Sequence, residues 1–146
     1  MQQSLNVLNT DETAYQFSPN VLLYFAYSLL KENKWVQLEN ILANGIDKYP
    51  DFTDLYYINA SCIIEAKKVE DFSKIPQLYI TCLEIGEADP TKYETSRGVG
   101  SYKALYNLGL YYEITGHLQD AVNCYRQSGS MNYTPAQKRL DLLTKT

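Results

Sequence analysis

Residues 106–125, YNLGLYYEITGHLQDAVNCY, place Leu108, Gly109 and Tyr112 before Gly116, and Ala121 and Tyr125 after it. Steps of three and four on either side of a glycine describe two short helices joined by a turn, each presenting one face to the other. A strand would alternate at every second residue, and this stretch does not. The spacing therefore predicts a helix that ends near 115 and a second over 118–129.

The same periodicity runs outward through the chain. It predicts helices near 19–31, 34–48, 53–67, 72–85, 101–115, 118–129 and 134–145, an all-α fold class. Breakers fall between them: Pro19 and Pro135 suit the first turn of a helix, and YPDFTD separates the second helix from the third. Connections are short except for one long loop over 86–100.

The unit also recurs. Leu22, Phe25–Ala26 and Leu29, then Leu38, Leu42 and Gly45, repeat the spacing of Leu105, Leu108–Gly109 and Tyr112, then Ala121 and Tyr125, and Pro50 closes that unit. A middle copy gives Tyr56, Ala60 and Ile63, then Ile75, Tyr79 and Cys82, with Asn59 where leucine is expected and three extra residues in its turn. The small residues Ala26, Ala60 and Gly109 stand where two helices cross closely and a larger side chain would wedge them apart. This pattern resembles the tetratricopeptide repeat (TPR), a helix–turn–helix unit of about 34 residues. The resemblance implies a right-handed α-solenoid of about three helix hairpins, over 19–52, 53–86 and 102–134. Helix 134–145 would cap it, and residues 1–18 would be a linker or an extra helix. One such unit cannot bury its apolar face alone, so the units must stack.

In that family a second face of each first helix lines a concave groove where ligands commonly lie. Here it carries Asn20, Leu23, Tyr27 and Leu30, then Asp54, Tyr57, Ser61 and Ile64, then Lys103, Tyr106, Leu110 and Glu113. Aromatic anchors among scattered polar groups suit an extended peptide or a partner helix, while the alternative is that the tyrosines simply pack. If they bind, Tyr57→Ala and Tyr106→Ala each weaken a partner by about 1–3 kcal/mol and leave the chain helical. The Lys/Asn set with which chaperone-binding members hold a C-terminal carboxylate is missing. A second candidate is the loop YETSRGVGSYK (93–103), where glycine amides, Ser101 at a helix start, Arg97 and Lys103 suit a carboxylate or phosphate.

Other classes find little support. Net charge is −4, which disfavours nucleic acid, and no apolar run is long enough to span a membrane. The start MQQSLNVLNTDET has neither the basic nor the apolar part of a signal peptide. Three widely spaced cysteines suit free thiols in a reducing cytoplasm. Fourteen tyrosines suit half-buried grooves and interfaces. The one histidine, His117, falls in a turn, and no Cys/His spacing suits zinc. The expectation is no enzyme, no metal and no cofactor; the partner is a protein or peptide, or a second copy of the chain. A formal glycosylation sequon at 59–61 lies within a predicted helix.

Three motifs are more specific. Tyr49–Tyr57 (YPDFTDLYY), Cys82–Glu87 (CLEIGE) and Gly98–Gly109 (GVGSYKALYNLG) are similar, in this order, to the C-terminal TPR region that follows family 2 glycosyltransferase domains in Gram-positive bacteria. The catalytic Asp-x-Asp of those enzymes does not occur here. The resemblance implies an accessory domain of a longer bacterial enzyme, presenting an acceptor or pairing two chains. A free-standing cytoplasmic adaptor and a homodimerisation domain are the alternatives.

Overall fold

The computed structural model describes residues 17–145. The expectation of a linker or extra helix over 1–18 lies, apart from Phe17 and Ser18, outside the described residues. Among these residues there are seven α-helices, one 3-10 helix and no strand: α1 Pro19–Lys31, α2 Trp35–Lys48, α3 Thr53–Glu65, the 3-10 helix Val69–Lys74, α4 Ile75–Ile85, α5 Tyr102–Ile114, α6 Leu118–Gly129 and α7 Thr134–Thr144. The fold is all-α.

Local chemistry sets the boundaries. The Ser18 hydroxyl accepts from the Val21 amide at 3.3 Å, and Pro19 opens α1 without a donor to waste. Residues in the left-handed region follow the ends of several helices: Asn33 after α1, Lys67 after α3, Gly116 after α5 and Asn132 after α6.

Two predicted spans differ. The third helix stops at Glu65 rather than 67, and the fourth begins at Ile75 rather than 72. Pro76 explains the second difference. An α-helix running from 72 would need a Pro76 N–H to bond the Phe72 carbonyl, and proline has none. The Phe72 carbonyl instead accepts from Ile75 in the tighter 3-10 pattern.

Each helix packs on the next in sequence, from α1 with α2 through to α6 with α7, and α1 also touches α3. Small residues sit at these contacts. A Cβ on Gly109 of α5 would lie 2.6 Å from the Tyr125 ring of α6, and one on Gly45 of α2 would lie 2.7 Å from Leu22 of α1. Ala26 and Ala60 are fully buried. The core falls into three parts. Leu22, Leu38, Leu42, Leu55 and Ile58 join α1, α2 and α3; Ala60, Ile75, Tyr79, Ala104 and Leu108 join α3, α4 and α5; Ala121, Tyr125 and Ala136 join α6 and α7.

The last helix is also held by charge. Arg139 of α7 donates through Nε to Glu113 Oε1 at 2.8 Å and through Nη2 to Oε2, and the buried Tyr125 hydroxyl donates to the same carboxylate at 2.8 Å. Glu113, expected on the groove face, therefore ties α5, α6 and α7 together. The hydrogen bonds from Arg139 hold its carboxyl below the usual value of 4.5. A lowered folded pKa means that this contribution is complete above 4.5 and is lost as pH falls through the folded value. The difference in urea midpoint between wild type and Glu113→Gln should thus shrink as pH drops well below 4.5. An unchanged difference would mean that the pair adds nothing through its charge.

Candidate functional site

The face expected to line a groove divides in two. Its first part, on α1 and α3, is covered by the chain's own loop. The Asn20 Oδ1 accepts from the Glu94 amide at 2.9 Å, and the Asp54 Oδ2 accepts from the Ser96 amide at 2.8 Å. The Thr95 hydroxyl donates to the other Asp54 oxygen, the Tyr24 hydroxyl donates to Glu94, and the Tyr27 and Ser96 hydroxyls meet at 3.2 Å. Leu23 is buried in the core between α1 and its neighbours. Asn20, Leu23, Tyr27 and Asp54 thus all have partners within the chain.

Asp54 is fully buried. Burial pushes its carboxyl above the usual 3.8, against the pull of the Ser96 and Thr95 hydrogen bonds. A carboxylate left there without those donors would be costly.

The loop itself is pinned at both ends. The Tyr93 ring stacks on Phe52 with centroids 4.1 Å apart, and its hydroxyl donates to Asp51, which Lys92 also reaches at 2.6 Å. At the other end the Glu87 carboxylate accepts from the Gly98 amide at 2.5 Å, the Gly100 amide at 2.9 Å and the Ser101 hydroxyl at 3.2 Å. The amides expected to receive an outside anion therefore hold an internal one. Ser101 stands at the N-cap position of α5, yet its side chain makes no capping bond and turns to Glu87 instead. Helical spacing does not mark Glu87 as a partner of this loop, since a contact across eleven residues leaves no periodic signal. Arg97 is exposed beside this cradle.

The second part, on α3 and α5, is open. Tyr57 is half-buried, its ring 5.8 Å from Tyr79, and its hydroxyl accepts from Asn107 Nδ2 at 2.8 Å. Burial pushes this phenol up to about 12. Asn107 also donates to the Lys103 carbonyl at 2.9 Å, and the Ser61 hydroxyl donates to the Tyr57 carbonyl at 3.2 Å. Asn107 was not among the expected site residues, although it stands one turn from both Lys103 and Leu110 on α5. Tyr106 packs against Tyr125 and Tyr133, with centroids 5.8 and 5.5 Å apart. Both Tyr57 and Tyr106 are therefore part of the packing as well as of this face, and their removal costs stability in addition to any binding.

Beside them lies an apolar cleft of about 260 Å³, with Ile64, Phe72, Ile75, Leu110 and Ile114 among its walls and Asn107 at its polar edge. Ile64 is 43% exposed, Phe72 38% and Ile114 82%, so three large apolar groups face solvent around one hollow. A larger cavity of about 560 Å³ between α2, α3, the 3-10 helix and α4 is more polar, and its charged groups pair with each other, Lys68 with Glu39 and Lys74 with Asp71.

The cysteines are all free and buried. Burial pushes Cys82 up to about 12 and Cys124 to about 11, so neither is a thiolate at neutral pH. The exposed His117 ring stands 6.1 Å from Tyr112, with its Nδ1 3.0 Å from the Thr115 hydroxyl. Among the described residues no group of three or more His, Cys, Asp or Glu is placed to hold a metal ion, and no helix is long and apolar enough to cross a membrane. Compared with known proteins, the sequence matches no protein family and no curated protein.

Proposed function

We propose that the chain is a non-catalytic protein- or peptide-binding module, a solenoid of about three TPR-like helix hairpins capped by α7, whose open site is the cleft between α3 and α5. The observation that carries this reading is the cleft itself: Ile64, Phe72 and Ile114 are exposed together around one apolar hollow. Its size suits one or two apolar side chains of an extended or helical segment. The likeness of the Tyr49–Tyr57, Cys82–Glu87 and Gly98–Gly109 motifs to a glycosyltransferase-associated TPR region supports a bacterial, cytoplasmic accessory domain that presents an acceptor.

Peptide display on the full chain, followed by affinity measurement of an enriched peptide, tests this. Ile114→Glu is expected to weaken binding by about 1–3 kcal/mol, and being exposed it should move stability by no more than about 0.5 kcal/mol. Enriched peptides that ignore this change would refute the cleft as the site.

A second reading is pairing of two copies. On α1, Val21 and Tyr24 are 49% and 62% exposed beside Phe25 and the preceding Phe17, an apolar surface that a second copy would cover. Light scattering over a hundredfold range of concentration decides it. A strict monomer removes this reading.

A further inference from the structure

Residues 94–96 contribute no apolar side chain to the core, yet they lie along α1 and α3 in register with three groove-facing polar side chains. The amides that Asn20 and Asp54 accept belong to Glu94 and Ser96, every second residue, as in main-chain recognition of an extended peptide. The hydroxyls of Thr95 and Ser96 complete the match, against Asp54 and Tyr27. The anchors lie outside this stretch, at Tyr93 on Phe52 and at Gly98 and Gly100 on Glu87. Residues 94–97 are thus a short span between two fixed posts.

We propose that the α1–α3 face is a recognition site for an extended, hydroxyl-bearing peptide, and that residues 94–96 are its resident ligand, a strap that keeps outside peptides off this half of the groove. The proposal rests on the reading of the chain as a binding module. It adds which half is closed, by what, and what chemistry a competitor must carry: backbone N–H groups two residues apart, with hydroxyls at the second and third positions. A fully buried carboxylate is the selective element, because only a donor-rich segment repays its burial. Tethered ligands act at effective concentrations on the order of millimolar, so the strap masks weak ligands offered from outside.

The test uses a fluorescent peptide with the sequence of residues 92–98, KYETSRG, and the full chain. Wild type is expected to bind it at least about tenfold more weakly than the variant Glu94→Pro/Thr95→Ala/Ser96→Pro, which lacks both amide donors and both hydroxyls. Methylating the peptide nitrogen that corresponds to Ser96 should remove the gain, because that amide is the donor to Asp54. Adding Ile114→Glu to the triple variant should leave KYETSRG binding unchanged, which separates this proposal from the α3–α5 cleft. If the triple variant does not fold, Ser96→Pro, which removes the amide donor to Asp54 and the hydroxyl that meets Tyr27, takes its place. A variant that stays helical by circular dichroism yet gains no binding would overturn the proposal. Unfolding of both variants would overturn it equally, by making the strap part of the core.

Discussion

Gly100→Ala is expected to destabilise the chain by about 2–4 kcal/mol, although it adds one methyl group. A Cβ at this position would lie inside the van der Waals radii of the Gly86 carbonyl and the Glu87 amide, and both are backbone atoms that cannot swing aside. The two ends of the long loop cross here, and the same crossing brings the Gly100 amide to the Glu87 carboxylate. Forcing them apart therefore breaks the cradle as well as the contact. Urea unfolding checks the expectation. By contrast, Gly116→Ala should cost less, since a Cβ at Gly116 meets nothing within 4 Å and the penalty is only that of its positive φ of 84°. Equal losses for the two would mean that the close approach at Gly100 is not what matters.

Asp54→Ala is expected to cost about 2–4 kcal/mol, with α1, α2 and α3 still formed. The change strands the Ser96 amide and the Thr95 hydroxyl, each a half-buried donor with its acceptor gone. Asp54→Asn should cost less, because it keeps one oxygen to accept. The sign of the pH dependence follows from the direction of the shift. A carboxyl raised above 3.8 holds its proton more tightly when folded, so its contribution is greatest below that value and is lost as pH rises through the folded pKa. The wild type should therefore lose part of its advantage over Asp54→Asn as pH rises from acid toward neutral, the reverse of the Glu113 case. An advantage that instead grew with pH would mean that the two donors outweigh burial.

The helices were legible because their signals are local. Pro19, Gly116 and Pro135 punctuate the chain within one turn of where elements begin or end, and apolar residues at three- and four-residue steps mark the buried faces. Pro76 was equally local, and weighing its missing N–H would have moved the predicted start of α4 from 72 to 75. The loop was a different matter. Its length and glycines were visible, but Glu94 meeting Asn20 and Ser96 meeting Asp54 are contacts across 74 and 42 residues. No periodicity carries such pairing. The helical spacing put Asn20, Tyr27 and Asp54 on a face with unmet polar groups, and only the three-dimensional path of the loop shows where those groups find partners. Of the residues that helical spacing places on the face of α3 and α5, Ile64 and Leu110 line the cleft, whereas Tyr57 packs on Tyr79 and Tyr106 on Tyr125 and Tyr133. Phe72 escaped that reading because it belongs to the 3-10 helix, which has a different period.

The division of the expected face bears on the proposed function. On the proposed reading, a partner finds the α1–α3 half already satisfied by residues 94–96 and meets Ile64, Phe72 and Ile114 exposed around the cleft between α3 and α5. Binding at that cleft would rest on apolar side chains rather than on charge, so its affinity should change little with salt.

The most direct measurement is an amide NMR titration of the full chain with an apolar peptide enriched by display. Shift changes centred on Ile64, Phe72, Asn107, Leu110 and Ile114, with the amides of Glu94 and Ser96 unmoved, are the predicted result. Changes centred anywhere else, or a saturable peptide that leaves the α3–α5 cleft undisturbed, would contradict it.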